Sequence, residues 1–200
     1  MNQDEIKKFL EIYEPIKERT LVLVDFSNVE KWKNSLGWDI GIQELATLVK
    51  RFSYGNQMLR RFYYGSDYGP NEKATEMIPW SKGMIDRAKM NRFEVVTKRV
   101  KYIRNTGPDI KKCDLDVEMA VDLIRLKDDY DQAVVFSGDG DLTYAMEYLH
   151  TTFGKNFVVF AARNHVSKEV IDCSKTHVIS RILFAEDFEY RIKKTQKRTY

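Results

Sequence analysis

The feature that most constrains this chain is the alternation of short apolar runs with segments whose apolar residues recur at helical spacing. Leu21–Asp25, Ala133–Ser137 and Phe157–Ala161 read as strands that are apolar along almost their whole length. Further strands are expected near Met58–Tyr64, Glu94–Thr97 and His177–Ile179. Ile42, Leu45, Leu48, Val49 and Phe52 mark a helix between the first two strands. Helices are also expected over 73–90, where Pro79 delays or kinks the start, and over 114–126. Leu142, Met146 and Leu149 mark another, and Ser167–Cys173 a short last one. Strands without a polar face need cover on both sides, which parallel sheets receive from their crossover helices. The expectation is an α/β fold, a three-layer α/β/α sandwich around a central, mostly parallel sheet.

Two hundred residues suit one such domain with short extensions. Residues 20–184 form the expected domain, preceded by a helical extension over 1–19 and followed by a basic tail over 185–200. In the extension, Ile6, Phe9, Leu10, Tyr13 and Ile16 fall on one helical face. An apolar share of 43% supplies a core without disulfides or a structural metal. Cys113 and Cys173 are far apart and lack the spacing of a zinc site, which fits a reducing compartment. No apolar run is long enough to span a membrane, and the charged start MNQDEIKKFLEIYEP does not read as a signal peptide. A cytoplasmic protein is expected.

Ligands of open parallel sheets sit beyond the carboxyl ends of the strands, where strand order reverses. Asp25 ends the first strand, and Asn28 follows three residues later. Ser137, Asp139 and Asp141 follow the strand at 133–137, and Asp116 opens the helix before it. If those two strands are neighbours, the oxygens converge in one crevice. Carboxylates brought together repel one another and raise each other's pKa, and a hard divalent cation removes that cost. An acid cluster without histidine or thiolate selects Mg2+ or Mn2+, which assist in-line displacement at phosphodiesters.

Each element also has a plainer reading. Asp25 could cap the turn after its strand and Asn28 could form that turn. Asp114 and Asp116 favour a helix start through the dipole alone. Ser137-Gly138-Asp139-Gly140-Asp141 could be a glycine turn with an N-cap. The metal-site reading stands on their occurrence together, at three separate element ends.

These residues resemble a known family. Asp25-Phe26-Ser27-Asn28 is similar to the D-x-x-N signature of NYN domains, especially their bacterial LabA-like branch. Lys112-Cys113-Asp114-Leu115-Asp116-Val117-Glu118, with Asp122 beyond it, resembles the K-x-x-L-D-V-E segment of that branch. Ser137-Gly138-Asp139-Gly140-Asp141-Leu142 resembles its S-G-D-x-D-F/L signature. Cys113 and Asp114 depart from the glycine and uncharged residue of the pattern. The resemblance implies a PIN-like fold and a metal-dependent ribonuclease. Asp25, Asp116, Asp139 and Asp141 would be its metal-binding acids, and Asn28 and Ser137 would orient water, metal or phosphate. Lys112 would approach the substrate backbone. Asp122 lies about 120° around a helix from Asp116, which suits a supporting position behind the ligands.

The connector Thr97–Lys112 holds Lys98, Arg99, Lys101, Arg104, Lys111 and Lys112 against one acid, Asp109. It would grip a phosphate backbone by charge, with Tyr102 stacking on a base of single-stranded RNA, or else be a solvated loop. His150, His165 and His177 are scattered and read as structural or surface residues. Two rivals remain. A haloacid-dehalogenase-like phosphatase needs a second aspartate two residues after the nucleophile, and that position here is Ser27. A non-catalytic RNA-binding module of the same fold would have no need of the full set of acids.

Overall fold

The computed structural model describes residues 19–51, 58–104 and 109–189, without the side chain of Arg51. The helix expected over 4–18 and the tail beyond residue 189 lie outside the described residues. The chain forms β1 (Thr20–Asp25), α1 (Ile42–Arg51), β2 (Met58–Ser66), α2 (Pro79–Met90) and β3 (Glu94–Arg99). Then come β4 (Lys101–Ile103), β5 (Ile110–Lys112), α3 (Asp116–Arg125) and β6 (Gln132–Phe136). It closes with α4 (Thr143–Phe153), β7 (Asn156–Ala161), α5 (Lys168–Lys175) and β8 (Ile179–Phe184).

Six strands form one sheet in the order β3-β2-β1-β6-β7-β8, and every pairing in it is parallel. Helices α1 and α2 pack together, and α3 packs on α4, which packs on α5. Right-handed crossovers place the first group on one face and the second on the other. The three-layer sandwich expected from the apolar strands is therefore present. Leu21–Val24 and Ala133–Phe136 are buried throughout, as strands covered on both faces must be. Aromatic rings lock the layers: Phe26 on Phe62 at 5.1 Å, Phe136 on Phe160 at 4.8 Å and Phe160 on Phe188 at 5.3 Å.

Three expectations are corrected. Helix α2 begins at Pro79, not at 73, because proline with its fixed φ suits the first helical position and holds Ile78 extended. The last strand runs over Ile179–Phe184 and not 177–179, since His177 at φ 63° turns the chain between α5 and β8. Just after β8, Ala185–Phe188 makes a 3-10 turn that buries Ala185 and Phe188. Finally, the basic connector is not a plain loop. β3 extends to Arg99, and β4 and β5 pair as an antiparallel ribbon with Lys101 opposite Lys112, Tyr102 opposite Lys111 and Ile103 opposite Ile110.

Candidate functional site

From β1 the chain proceeds outward through β2 to β3, and from β6 it proceeds the other way through β7 to β8. Strand order thus reverses between β1 and β6, which pair directly, and their carboxyl ends open one crevice. The neighbour relationship required by the sequence argument is met.

Asp25 is the last residue of β1 and only 7% exposed. Its Oδ1 accepts from Ser27 N at 3.1 Å, Ser27 Oγ at 2.8 Å and Asn28 N at 3.2 Å. The capping reading is therefore realised, and it uses one carboxylate oxygen. Ser137 Oγ reaches the other, Oδ2, at 3.4 Å. Burial pushes the Asp25 carboxyl above its ordinary range, against the pull of these hydrogen bonds.

Asn28 joins the two strand ends. Its Oδ1 accepts from Trp32 Nε1 at 2.8 Å and from Gly138 N at 3.3 Å. Both partners are donors, so the amide orientation is forced. Beyond β6, Ser137 Oγ accepts from Asp139 N at 3.2 Å, and the Gly138 carbonyl accepts from Ser167 N at 2.8 Å. A Cβ on Gly138 would lie 1.6 Å from the His165 carbonyl oxygen, so only glycine permits this approach. The Ser-Gly-Asp-Gly-Asp turn is thus pinned from two sides. It holds Asp139 and Asp141 exposed at the mouth of the crevice.

Asp116 opens α3 and is half-buried. Asp114 Oδ1 accepts its backbone N–H at 3.1 Å, and the two carboxyl groups share a hydrogen bond. Burial, the Asp114 hydrogen bond and charge, and then Asp25 and Asp139, push the Asp116 carboxyl up to about 7. The same hydrogen bond holds Asp114 below its ordinary value. The pair divides one proton, with Asp116 keeping it at acidic pH.

Asp25 and Asp139 thus each stand within electrostatic reach of Asp116. The fourth acid, Asp141, is exposed on the same turn. Among the described residues, no three His, Cys, Asp or Glu side chains are close enough to hold one ion together. The four-ligand shell expected from the sequence is not assembled here. The donor chemistry nonetheless fits Mg2+ or Mn2+: every group is an oxygen, and burial, with neighbouring carboxylates adding to it, raises the Asp116 carboxyl in a way that a bound cation would offset. Mg2+ is commonly held by one or two carboxylates, with water and substrate phosphate completing the shell.

Other side chains fall elsewhere. Asp122 is buried and accepts from Tyr63 Oη at 2.7 Å. It also pairs with Arg125, and with Arg61 at 3.9 Å. It stands about 9 Å along α3 from Asp116, and none of these partners belongs to the crevice. Lys98 donates to the Asp114 carbonyl and pairs with Glu118, each at 2.9 Å. Arg99 donates to the carbonyls of Ala74 and Asn71 at 2.9 and 3.0 Å and lies 4.6 Å over the Tyr68 ring. Both are engaged within the fold although exposed, and Lys101, Arg104 and Lys112 are exposed as well.

Sequence reasoning missed Asp67. It is buried just past the end of β2 and anchors the ribbon, accepting from Tyr102 Oη at 2.6 Å and Lys111 Nζ at 2.9 Å. The signal was the one that found Asp25, a carboxylate at the carboxyl end of a parallel strand. Asp114 was assigned only to the helix dipole, and its part as the proton partner of Asp116 was also missed.

Comparisons with known proteins follow this geometry. The crystal structure of a protein of unknown function from Vibrio parahaemolyticus is similar in fold, with a TM-score of 0.64 and 21% sequence identity. The match covers 87% of this chain and 96% of that one. A comparison with curated proteins finds no match. Among the described residues no helix is long and apolar enough to cross a membrane. The model of the NYN domain family matches residues 19–183. That family lies within the PIN-like nuclease superfamily, whose members are in general metal-dependent ribonucleases. With the match reaching into all six strands of the sheet, the chain belongs to the NYN domain family.

Proposed function

We propose that this chain is a Mg2+- or Mn2+-dependent ribonuclease that hydrolyses phosphodiester bonds of single-stranded RNA. The observation that carries the reading is the meeting of Asp25, Ser137 and the Asp139-bearing turn at the strand-order reversal, where Asp25 and Asp139 add their charge to the burial and the Asp114 contact that hold the Asp116 carboxyl up. Asp25 and Asp116 would hold the ion, Asp139 and Asp141 would complete its surroundings from the mouth, and a bound divalent ion would supply a more acidic water and stabilise charge building on the phosphate. Asn28 and Ser137 set the separation of the two strand ends and so position these acids. Lys101, Arg104 and Lys112 face solvent and would meet the RNA backbone. Asp122 would support α3 from behind through Tyr63. The LabA-like placement within the family rests on the three sequence signatures.

One observation favours the non-catalytic RNA-binding module as a second reading: no three acids stand together among the described residues. The phosphatase reading is opposed by Ser27, whose hydroxyl donates to Asp25 at 2.8 Å where a general acid would be needed. Substrate choice separates all three. The full chain, in Mg2+ or Mn2+, is offered single-stranded RNA and, separately, a phosphomonoester. Hydrolysis of RNA alone is the expected result. Binding of RNA without cleavage would establish the module instead, and hydrolysis of the monoester alone the phosphatase.

A further inference from the structure

We propose that Tyr144 is a stacking platform for an unpaired base, so that the site takes its RNA as a single strand; this rests on the nuclease reading above. Tyr144 is 83% exposed, the greatest exposure of any large apolar side chain among the described residues. It is the second residue of α4, three positions after Asp141 and five after Asp139. The ring therefore stands at the carboxyl edge of the sheet, on the element that leaves the acid-bearing turn. Among the described residues its side chain has neither a ring partner nor a hydrogen bond, so both faces of the ring are open to a ligand at the mouth of the site.

The other aromatic candidates are occupied. Tyr102, the stacking residue expected from the sequence, has its hydroxyl on Asp67 and Lys111 5.5 Å from its ring centroid. Tyr148, one turn further along α4, packs edge-on against Phe153 at 5.7 Å. Trp80 leans on Tyr64 at 6.4 Å and lies on α2, in the other helical layer. The helix α3, which packs on α4, exposes Val117, the residue after Asp116, in its own first turn. The rim of the acid crevice thus offers an aromatic face and an aliphatic one on two helices that pack together. Bases stack on such faces with little regard to sequence, and a base in a duplex cannot reach them.

The test uses the full chain in EDTA, so that RNA is bound without turnover, with a short single-stranded RNA carrying one 2-aminopurine. Its fluorescence is quenched when the base stacks. Tyr144→Ala is expected to weaken binding between about fivefold and a hundredfold and to abolish the protein-induced quenching. Tyr144→Phe is expected to keep both, and binding of the same sequence as a duplex is expected to be unaffected by either change. Wild-type binding with an unchanged Tyr144→Ala would overturn the inference and leave the nuclease reading standing. Equal losses in Tyr144→Ala and Tyr144→Phe would overturn it too, since the hydroxyl and not the ring would then be the contact. A wild-type chain that neither binds nor cuts single-stranded RNA would remove the nuclease reading, and the inference with it.

Discussion

Asp114 and Asp116 hold each other at the start of α3: an Asp114 oxygen accepts the Asp116 backbone N–H at 3.1 Å, and their carboxyl groups divide one proton. Burial, with Asp114 adding to it, raises Asp116 to about 7 in the folded chain, from an ordinary value near 3.8. Without metal, the folded state then binds more protons than the unfolded one between those values. Its stability is greatest below the lower value and is lost as pH rises through about 7. Asp114 is shifted downward, so its own contribution changes only at lower pH. The melting temperature in EDTA should fall between pH 5 and pH 8. Asp116→Asn should flatten much of that fall and melt above wild type at pH 8. Some slope should persist, because Asp25 is raised as well. Parallel melting profiles for the two proteins would show that the pair carries no such strain.

Asn28 is expected to act through position. Replacing it with Ala leaves two donors, Trp32 Nε1 and Gly138 N–H, without their shared acceptor. Each orphaned buried donor costs about 1–3 kcal/mol, so urea unfolding should register a loss of that order. RNA cleavage should fall further than stability accounts for, since the turn carrying Asp139 loses its tie to β1. Unchanged unfolding would mean that neither hydrogen bond matters.

The ribbon makes a prediction about salt. Lys101 and Lys112 stand opposite one another, and like charges in that register repel unless an anion lies between them. Replacing both with Ala should reduce the slope of log affinity against log salt by about 1.4, at about 0.7 per lost contact to a single strand. The Lys98→Ala, Arg99→Ala double variant should keep the slope and lose stability instead, because those side chains are spent on Glu118 and on the carbonyls of Asn71 and Ala74. The opposite pattern across a salt series would reverse the assignment.

What was legible in the sequence was whatever depends on short range. Leu21–Asp25 and Ala133–Ser137 announce buried strands with polar ends, and parallel topology then brings Asp25 beside Ser137, 112 positions apart. The hairpin was not legible, because its three-residue strands carry no apolar alternation and it is held by Asp67 from 35 and 44 positions away. Asp122 likewise reads as a possible site residue until Tyr63, 59 positions distant, takes its oxygen. Cationic residues were recognisable as a group, but which of them are free for a ligand depends on partners such as Ala74 and Glu118 that no local pattern connects to them. The exposure of Tyr144 was not legible either, since it depends on which face of its helix is packed.

If Asp25 and its neighbours hold a divalent ion for cutting RNA, cleavage must depend on both the ion and the Asp25 carboxylate. The direct measurement is the cleavage rate of single-stranded RNA by the full chain in Mn2+, in EDTA, and in Mn2+ with Asp25→Asn, which deletes the charge at nearly constant volume. Cleavage in Mn2+, none in EDTA, and a loss in Asp25→Asn larger than the roughly 10–100-fold cost of removing an outer-shell group is the predicted result. Full turnover in EDTA, or an Asp25→Asn chain that cuts at the wild-type rate, would contradict it.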